Sequence, residues 1–476
     1  MVEEVKGDPL ARVEELKHLG NQKFKEKHFG EAIAFYTQAI ELDPSLPVLY
    51  SNRSLANLKV ENYGFAEKDA SEAIRLDPNF IKGYYRRGSA NFAMCRFKEA
   101  IKDLKAVCKI VPNDKEAKNK LRSAQKEFRA LKFAEALEME TPSKAIDIQN
   151  LEVPDSYTGP RLPEVVTPEW VQELMEYFKN QKQLHKKYVL EMLIRVKEVL
   201  SNLRSLVYID IPQEEEFTVC GDVHGQFYDL LNIFELNGVP SPSNPFLFNG
   251  DFVDRGSFSV EVMLTLFAWK LCYPEHFHLL RGNHETKNMN KVYGFEGEVH
   301  HKYDTNTMEL FSEIFCYLPL AAVLNSKVMV THGGLFSQDG VKLSDIENLD
   351  RVKEPPDSGI MCELLWSDPI KSNGRHPSKR GVGLSFGPDV AHRFLDENNL
   401  ELLVRSHEVK EEGYEVEADG RVITIFSAPN YCDQMGNKGA VLKFKGNDMK
   451  PQFKTFTAVP HPNVPAMAYA KPFMFM

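Results

Sequence analysis

The sequence has few cysteines, and their spacing excludes several kinds of site. Its seven Cys residues are an odd number without a CxxC pair, which argues against a disulfide framework and against a cysteine-based zinc site. None is followed six positions later by Arg, so a Cys-x5-Arg nucleophile loop is absent. We therefore expect reduced thiols and a location in the cytoplasm and nucleus.

Long apolar runs and a strong basic excess are also missing. No apolar stretch reaches the roughly 18 residues that span a bilayer, and the opening MVEEVKGDPL is acidic, so we expect neither membrane insertion nor secretion by the usual route. The formal net charge is −10 at pH 7, with a basic segment 1–138 and an acidic remainder. This distribution argues against nucleic-acid binding and is compatible with contact between the two parts. The length of 476 residues indicates two or three domains.

A repeat with a period of 34 residues occupies the first part of the chain. The period is marked by the prolines Pro44, Pro78 and Pro112, and by the small residues Ala32, Ala66 and Ala100. This pattern resembles the tetratricopeptide repeat and predicts three helical hairpins over residues 11–112, which form an all-α superhelix with a concave peptide-binding face. Apolar residues at helical spacing predict a capping helix over 113–138, and residues 139–166 are predicted to be a linker.

Polar residues follow five short apolar runs in the second part of the chain. They are Asp222 and His224, Asp251, Asn283 with His284, His332, and His407. Each run is typical of a buried strand, and open α/β sheets place their chemistry just past the C-terminal ends of strands. The mixture of nitrogen and oxygen ligands suits a pair of transition-metal ions better than Ca or Mg alone.

The segments around these residues resemble a known family. GDVHG, GDFVDRG, GNHE, HGG and RSHE occur in this order, and over residues 155–460 they are similar to the metal-dependent serine/threonine protein phosphatases of the phosphoprotein phosphatase family. The resemblance implies an α/β metallophosphoesterase fold over 167–460, with a central β-sandwich flanked by helices. Thr167 and Pro168 predict the start of its first helix, as N-cap and first helical residue.

The resemblance also assigns the metal ligands. One ion would be held by Asp222 and His224, and the second by Asn283, His332 and His407, with Asp251 as the bridge between them. Such a pair of cations lowers the pKa of a water molecule toward about 7. The donor set accepts Mn, Fe or Zn, and we expect two divalent or trivalent ions, with Mn or Fe preferred.

The phosphate-handling residues are assigned in the same way. Arg255 and Arg380 correspond to the arginines that bind the phosphate oxygens in this family. His284, oriented by Asp254, corresponds to the general acid for the leaving alkoxide. Tyr431 lies in SAPNYCDQMGN and corresponds to a loop residue that overhangs the site.

A second set of polar residues lies on the first helix of each predicted hairpin. The set matches the tetratricopeptide carboxylate clamp and consists of Lys17, Asn21, Asn52, Lys82 and Arg86. Lys82 and Arg86 are four residues apart and therefore project from one helix face. The match implies a partner with an acidic tail that ends in a carboxylate, such as heat-shock protein 90.

The combination of repeats and phosphatase motifs implies regulation. Repeat-bearing members of the family are autoinhibited by the repeat domain and released by a chaperone tail or a polyunsaturated fatty acid. Glu61, in the turn of the second repeat, corresponds to a residue that contacts Arg255 and Tyr431. The tail 461–476 is expected to form a short autoinhibitory helix, although Pro472 disfavours its last turn.

Two alternatives to a protein phosphatase remain at this point. The chain could be an adaptor in which the repeats bind partners and the phosphatase domain is inactive, but no predicted ligand is missing from the sequence. It could also be a small-molecule metallophosphoesterase such as a dinucleotide polyphosphatase. The fused peptide-binding repeats favour phosphoprotein substrates over that alternative.

Overall fold

The structure, a computed structural model, describes residues 9–138, 148 and 151–470. The chain divides into two compact units. The described part of the first unit consists of residues 9–138 together with Pro377–Val382, and the second contains the remaining described residues. Within the described residues, no helix is both long and apolar enough to cross a bilayer.

The first unit is a stack of helices in which each helix packs against the next. The helices are α1 (Pro9–Lys25), α2 (Phe29–Leu42), α3 (Pro47–Lys59), α4 (Tyr63–Leu76), α5 (Ile81–Ala93), α6 (Phe97–Ile110) and α7 (Lys115–Glu138). Ala32, Ala66 and Ala100 are completely buried, because only a small side chain fits where the two helices of a hairpin cross. The 34-residue period therefore reflects a helix-packing contact that recurs in each hairpin.

An ion pair recurs with the same period. Arg53 Nη2 lies 2.7 Å from Asp69 Oδ1, and 34 residues later Arg87 Nε lies 2.8 Å from Asp103 Oδ2. Both carboxylates are buried, and each arginine donates two hydrogen bonds to its Asp partner. Because a buried carboxylate without a partner is costly, these pairs fix how the two helices of the second hairpin, α3 and α4, and of the third, α5 and α6, are joined.

The second unit begins with α8 (Pro168–Lys179) and α9 (Lys186–Ser201). Thr167 caps α8 by accepting a hydrogen bond from Trp170 N, with Pro168 at the first helical position. The strands are β1 (Leu206–Ile209), β2 (Glu216–Cys220), β3 (Phe246–Phe248), β4 (Phe277–Leu279), β5 (Ala321–Leu324), β6 (Val328–Thr331), β7 (Asp368–Pro369), β8 (Arg375–Pro377), β9 (Leu384–Phe386), β10 (Leu402–Arg405), β11 (Tyr414–Glu417), β12 (Val422–Ile425), β13 (Gly439–Lys445) and β14 (Gln452–Phe456). The remaining helices are α10 (Phe227–Asn237), α11 (Ser259–Cys272), α12 (Lys287–Tyr293), α13 (Phe295–Lys302), α14 (Thr305–Tyr317), α15 (Leu343–Glu347), α16 (Ile360–Trp366) and α17 (Pro388–Glu397).

Two mixed sheets pack face to face in this unit. One has the strand order β1-β5-β6-β10-β12-β11 and the other β14-β13-β2-β3-β4, and a small third sheet has the order β7-β9-β8. Val219, Leu247, Val330 and Val404 belong to the apolar layer between the two large sheets. Cys220, Phe246 and Phe248 alternate with that layer and pack against helices on the outer face. The predicted sandwich flanked by helices is therefore confirmed, as is the all-α repeat region before it.

The two segments without regular structure behave differently from each other. Residues 151–166 of the predicted linker contain no helix or strand, yet Leu151, Val153 and Leu162 pack against the helical core of the second unit. Residues 461–470 of the tail contain turns and no helix. The rest of the expected tail helix, and the linker residues 139–147, 149 and 150, lie outside the described residues.

Candidate metal centre and catalytic site

The ends of parallel strands bring the predicted metal ligands to one edge of the sandwich. Strand β3 runs parallel to both β2 and β4, and β10 runs parallel to both β6 and β12. Asp222, just past β2, forms a bridge with Phe426, just past β12, so the two sheets meet at this edge. The six predicted ligands follow the ends of β2, β3, β4, β6 and β10: Asp222, His224, Asp251, Asn283, His332 and His407. All six are buried.

Three of these ligands have left-handed backbone conformations. The φ angles are 40° at His224, 50° at Asp251 and 70° at His407. Residues other than glycine adopt this region rarely, at a cost of order 1–3 kcal/mol each, and such strain clusters at functional sites. The chain thus turns sharply after each strand, which directs the ligand side chain back over the sheet edge.

The Asp251 carboxylate lies between two imidazoles from different sheets. Its Oδ2 is 3.5 Å from His224 Nε2 and 3.2 Å from His332 Nε2, and its Oδ1 accepts a hydrogen bond from His284 N at 2.8 Å. Asp222 Oδ2 is 3.7 Å from His224 Nε2. A carboxylate shared in this way has the position of a ligand that bridges two cations.

The predicted ligands of the second ion lie close to His332. His332 Nε2 lies 3.0 Å from Asn283 Oδ1 and 3.3 Å from His407 Nδ1. Donor atoms around a metal with bonds of about 2.1 Å are separated by roughly 3.0–3.4 Å, so the observed spacings fit a shared ion. The residues present therefore fit a metal on either side of the Asp251 Oδ2 atom.

Backbone carbonyls fix which nitrogen of two imidazoles faces this centre. His224 Nδ1 is 2.9 Å from Val253 O, and His332 Nδ1 is 2.8 Å from Asn249 O. A carbonyl oxygen only accepts, so each Nδ1 carries the proton and donates it, which leaves Nε2 as the lone-pair donor. Such partners orient histidine ligands in metal sites.

Burial opposes charge on these side chains. It raises the pKa of Asp222 to about 7, an effect that nearby His332 partly offsets. Burial likewise lowers the pKa of His224 well below its usual value, and positive neighbours such as His284 and Arg255 lower it further. Neutral imidazoles are the form that binds a metal, and a cation here would favour the ionised carboxylates.

Glu285 is part of this site although its role was not predicted. The carboxylate is completely buried and accepts hydrogen bonds from Asp251 N at 2.8 Å, Phe252 N at 2.8 Å and Gly282 N at 2.7 Å. It therefore joins the loop after β3 to the loop after β4. The residue stands inside GNHE, so the signal was present, but spacing alone does not show which backbone donors it meets.

Asn249 links the two sheets in a similar way. Its Nδ2 donates to Thr331 O and to Ser406 Oγ, both at 2.8 Å, and its own backbone carbonyl accepts from His332. These contacts connect the end of β3 to the ends of β6 and β10. No feature of the sequence indicates them, because the partners are 82 and 157 residues away.

The predicted acid pair is adjacent to the metal ligands. His284 Nδ1 lies 2.9 Å from Asp254 Oδ2, and the ring of His284 packs against that of His224 with 4.8 Å between centroids. Asp254 also accepts from Phe295 N at 2.9 Å and from Asn290 Nδ2 at 3.1 Å. Burial raises the pKa of Asp254 to about 7, and these donors partly offset it.

Arg255 and Tyr431 lie on either side of this group. The Arg255 guanidinium stacks over the ring of Tyr293, with 3.9 Å from Cζ to the centroid, and Arg255 N donates to Tyr293 O at 3.1 Å. The Tyr431 ring is 5.2 Å from the His224 ring. Both residues therefore surround the imidazoles, Arg255 through the loop after Asp254 and Tyr431 through the loop between β12 and β13.

Two of the residues predicted to bind phosphate or to inhibit the site lie in the first unit. Arg380 belongs to Pro377–Val382, which groups with the helical unit, and Glu61 lies between α3 and α4 with a φ of 62°. The role of Arg380 with phosphate and the inhibitory role of Glu61 stay predictions.

The predicted carboxylate clamp lies on α1, α3 and α5 of the first unit. Asn52 Nδ2 donates to Asn21 Oδ1 at 3.1 Å, and Tyr36 Oη donates to the same oxygen at 2.8 Å. The two asparagines are therefore brought together, as the prediction requires. Lys17, on the same helix as Asn21, pairs with Glu14 at 2.6 Å, and Lys82 lies one turn before Arg86 on α5.

Two further cations accompany Arg86. Burial lowers the pKa of Lys120 to about 8, and the charges of Arg86 and Lys59 lower it further. Lys120 Nζ lies over the ring of Tyr85 at 4.8 Å, and Arg86 lies over the same ring at 5.6 Å. These lysines were not predicted, because they come from helices α3 and α7. The three cations interact with one another and with the carboxylate of Glu116, so the surroundings of Arg86 are locally positive.

Comparison with known proteins agrees with this architecture. Residues 216–411 match the calcineurin-like phosphoesterase family, residues 121–208 match the PPP5 TPR repeat region, and residues 18–46 match the tetratricopeptide repeat. The chain is 56% identical over 466 residues to serine/threonine-protein phosphatase 5 of Homo sapiens, covering 97% of this chain and 93% of that protein.

A solved phosphatase structure shows the same likeness. A serine/threonine phosphatase from Saccharomyces cerevisiae, described as similar to human phosphatase PP5, is 42% identical with a TM-score of 0.62, and the match covers 64% of this chain and all of that one. The first repeat domain of Spaghetti, solved with the HSP90 peptide SRMEEVD, is 37% identical with a TM-score of 0.25, over 25% of this chain and 97% of that one.

The fold, the buried His and Asp groups and these relatives define a metallophosphoesterase of the serine/threonine phosphatase class. The phosphoesterase domain of this class implies divalent metal ions. At 56% identity over nearly its full length, the chain belongs to the serine/threonine-protein phosphatase 5 family. The predicted enzyme class is confirmed.

Proposed function

We propose that this phosphatase hydrolyses phosphoserine and phosphothreonine monoesters on proteins at a dinuclear metal centre. The observation that carries the proposal is the Asp251 carboxylate between His224 Nε2 and His332 Nε2, with the His284–Asp254 pair next to it. Two bound metal ions would lower the pKa of a water molecule so that it attacks phosphorus at neutral pH. The mixed nitrogen and oxygen donors accept Mn, Fe or Zn, and Mn or Fe is proposed on the family resemblance.

Arginine side chains bind the phosphate in this proposal. Arg255 is buried, and its guanidinium is held flat against Tyr293, so its planar donors are preorganised for two phosphate oxygens. Arg380 is proposed as a second phosphate ligand, and Asn283 donates its amide NH2 to phosphate. Positive charge at this position offsets the negative charge that repels an incoming nucleophile. Tyr431 is proposed to close the site over the bound phosphate.

His284 supplies the proton that the leaving alkoxide needs. Its Nδ1 faces Asp254 at 2.9 Å, so its Nε2 is the atom that donates to the serine or threonine oxygen. Asp254 stabilises the imidazolium and fixes the ring orientation, because its carboxylate is itself held by Asn290 and Phe295 N. General acids of this kind contribute roughly 100- to 10,000-fold.

We propose further that the first unit inhibits the phosphatase until a partner binds it. The clamp residues Lys17, Asn21, Asn52, Lys82 and Arg86 would hold the acidic C-terminal tail of a chaperone of the heat-shock protein 90 type. The paired amides of Asn21 and Asn52 and the cations around Arg86 support a ligand that ends in a carboxylate. A polyunsaturated fatty acid is proposed as a second activator on the family resemblance. We also propose a cytoplasmic and nuclear location, because the cysteines form no disulfide.

One experiment tests the activity and its regulation together. Hydrolysis of a phosphoserine peptide is measured with and without an acidic peptide that has a free C-terminal carboxylate, and the metal content of the same sample is determined. We expect about two metal ions per chain and faster hydrolysis when the acidic peptide is present. Absence of hydrolysis in a metal-loaded sample would favour the adaptor alternative.

Glu61 allows a separate test of autoinhibition. Glu61→Gln in the full chain removes the charge proposed to act on Arg255 and Tyr431, so basal hydrolysis should rise while the metal content stays constant. Glu41→Gln, an exposed change on α2, is the matched control. Deletion of residues 1–138 should raise the rate at least as much, and an unchanged rate in both variants would remove the autoinhibition proposal.

A further inference from the structure

Residues 465–470, called the strap, are bonded to the loop that carries Arg255. Met467 N donates to Arg255 O at 2.8 Å. Ser257 Oγ donates to Pro465 O at 2.7 Å and accepts from Ala468 N at 3.0 Å. Since Ser257 is buried, its hydroxyl joins the loop and the strap without competition from water.

The other side of the strap is held by helix α13 and the residue before it. A Cβ atom on Gly297 would lie 2.4 Å from Tyr469 O, so the strap backbone passes directly over this glycine. The Tyr469 ring packs on the ring of His301 at 5.3 Å, and Lys302 Nζ lies 5.9 Å from its centroid. The strap is therefore fixed between α13 and the Arg255 loop.

The Arg255 loop has a conformation that needs such support. Asp254 and Arg255 both have a φ of 68°, in the left-handed region that side chains other than Asn, Asp and His rarely adopt. The peptide N–H of Arg255 is bonded to Tyr293 O, and its carbonyl is bonded to Met467 N. One residue is thus held by α12 through its nitrogen and by the strap through its oxygen.

We propose that the strap keeps the Arg255 loop in the conformation that presents the guanidinium to phosphate, with Ser257 and Met467 as positioning residues. The inference rests on the proposed function of Arg255 as a phosphate ligand. Residues more than 200 positions downstream then set the affinity of the centre for phosphate without contacting it.

Met467 offers a pair of variants that separate the hydrogen bond from the side chain. Its φ is 58°, which glycine adopts freely and proline cannot. Met467→Gly keeps the N–H donor, whereas Met467→Pro removes it and forces φ to about −65°. Ser257→Ala removes the two bonds of the Ser257 hydroxyl, to Pro465 O and from Ala468 N, and leaves the strap sequence intact. Ser243→Ala, at an exposed serine in the turn before β3, is the matched control.

The test uses the full chain and inorganic phosphate as a competitive inhibitor. We expect the inhibition constant of phosphate, and KM for p-nitrophenyl phosphate, to rise about threefold to tenfold in Met467→Pro, the range for one lost hydrogen bond, and at least as much in Ser257→Ala, which loses two. Met467→Gly and Ser243→Ala should stay within about twofold of the parent. Metal content and the unfolding midpoint are measured on the same samples, since a general loss of structure would lower both.

Arg255→Ala shows which idea fails if the result is negative. If Arg255→Ala weakens phosphate inhibition but Met467→Pro and Ser257→Ala match their controls, the strap has no positioning role. If Arg255→Ala leaves phosphate inhibition unchanged, the proposed role of Arg255 is wrong and the inference falls with it.

Discussion

The Nδ1 atom of His284 lies 2.9 Å from Oδ2 of Asp254, and both side chains are buried beside the metal ligands. The same Asp254 oxygen accepts from Asn290, and its other oxygen accepts from Phe295 N. The carboxylate that orients the imidazole is thus itself held by two further donors. If His284 protonates the leaving group as proposed, this geometry predicts that its loss can be separated from the loss of metal.

We expect Asp254→Asn to lower kcat for a phosphoserine peptide by roughly 100- to 10,000-fold while the metal content is unchanged. The decrease should be much smaller with p-nitrophenyl phosphate, because nitrophenolate is stable without a proton. Steady-state kinetics with both substrates and metal analysis check this, with the exposed Asp210→Asn as control. Equal losses on both substrates would show that Asp254 does not act through the leaving group.

The metal ligands should behave differently. Asp222→Asn and His332→Ala each remove a donor from the buried group around Asp251, so bound metal and turnover are expected to fall together on both substrates. His376→Ala, at an exposed histidine, should change neither. Metal content measured after gel filtration is the readout, and full activity in metal-free protein would contradict the proposed centre.

The titration of His278 is expected to make the free energy of unfolding depend on pH, independently of catalysis. Burial lowers the pKa of this β4 side chain to about 3, and nearby Lys270 lowers it further. Below its unfolded pKa near 6.5, the unfolded chain binds a proton that the folded chain does not. The contribution of His278 to the free energy of unfolding is therefore complete above about pH 6.5. It falls by at most about 1.4 kcal/mol per pH unit as the pH decreases toward 3.

The measurement is denaturant unfolding between pH 7 and pH 5 for the parent chain and His278→Gln. The parent should lose up to about 2 kcal/mol more than the variant over this interval, because glutamine does not titrate. His300→Gln, at an exposed position on α13, should follow the parent. Parallel curves for the parent and His278→Gln would show that the imidazole titrates freely in the folded protein.

The sequence indicates where the candidate metal ligands lie because each stands next to a strand end. An apolar run, a turn and a polar residue are local features, so Asp222, Asp251 and His332 are visible without any tertiary information. Glu285 and Asn249 stabilise the same centre through hydrogen bonds to loops from other strands, and no local pattern indicates such partners. The position of Lys120 could not be predicted for the same reason, because its side chain lies near Arg86 only when α5 and α7 pack.

The C-terminal tail shows a second reason why some local structure could not be predicted from the sequence. The family resemblance implies a short helix, but residues 465–470 follow the surface of α13 and the Arg255 loop, where Gly297 permits close approach of the backbone. Tertiary hydrogen bonds to Ser257 and Arg255 thus replace helical ones. Likewise, residues 151–166 have the composition of a linker, yet Leu151 and Leu162 are packed, because a few apolar side chains suffice to dock an irregular segment.

Arg86→Ala should weaken binding of an acidic peptide with a free C-terminal carboxylate while basal phosphatase activity is retained. Arg86 is half-buried among the cations Lys59 and Lys120, so a carboxylate there would gain charge-assisted hydrogen bonds worth about 1.5–3 kcal/mol, or roughly 10- to 150-fold in Kd. Titration calorimetry measures this difference. Arg75→Ala removes an exposed arginine that pairs with Glu72 on α4 and should bind like the parent.

A peptide with an amidated C-terminus should bind the parent as weakly as the acid peptide binds Arg86→Ala. Equal affinity of the parent for both peptides would contradict a carboxylate clamp.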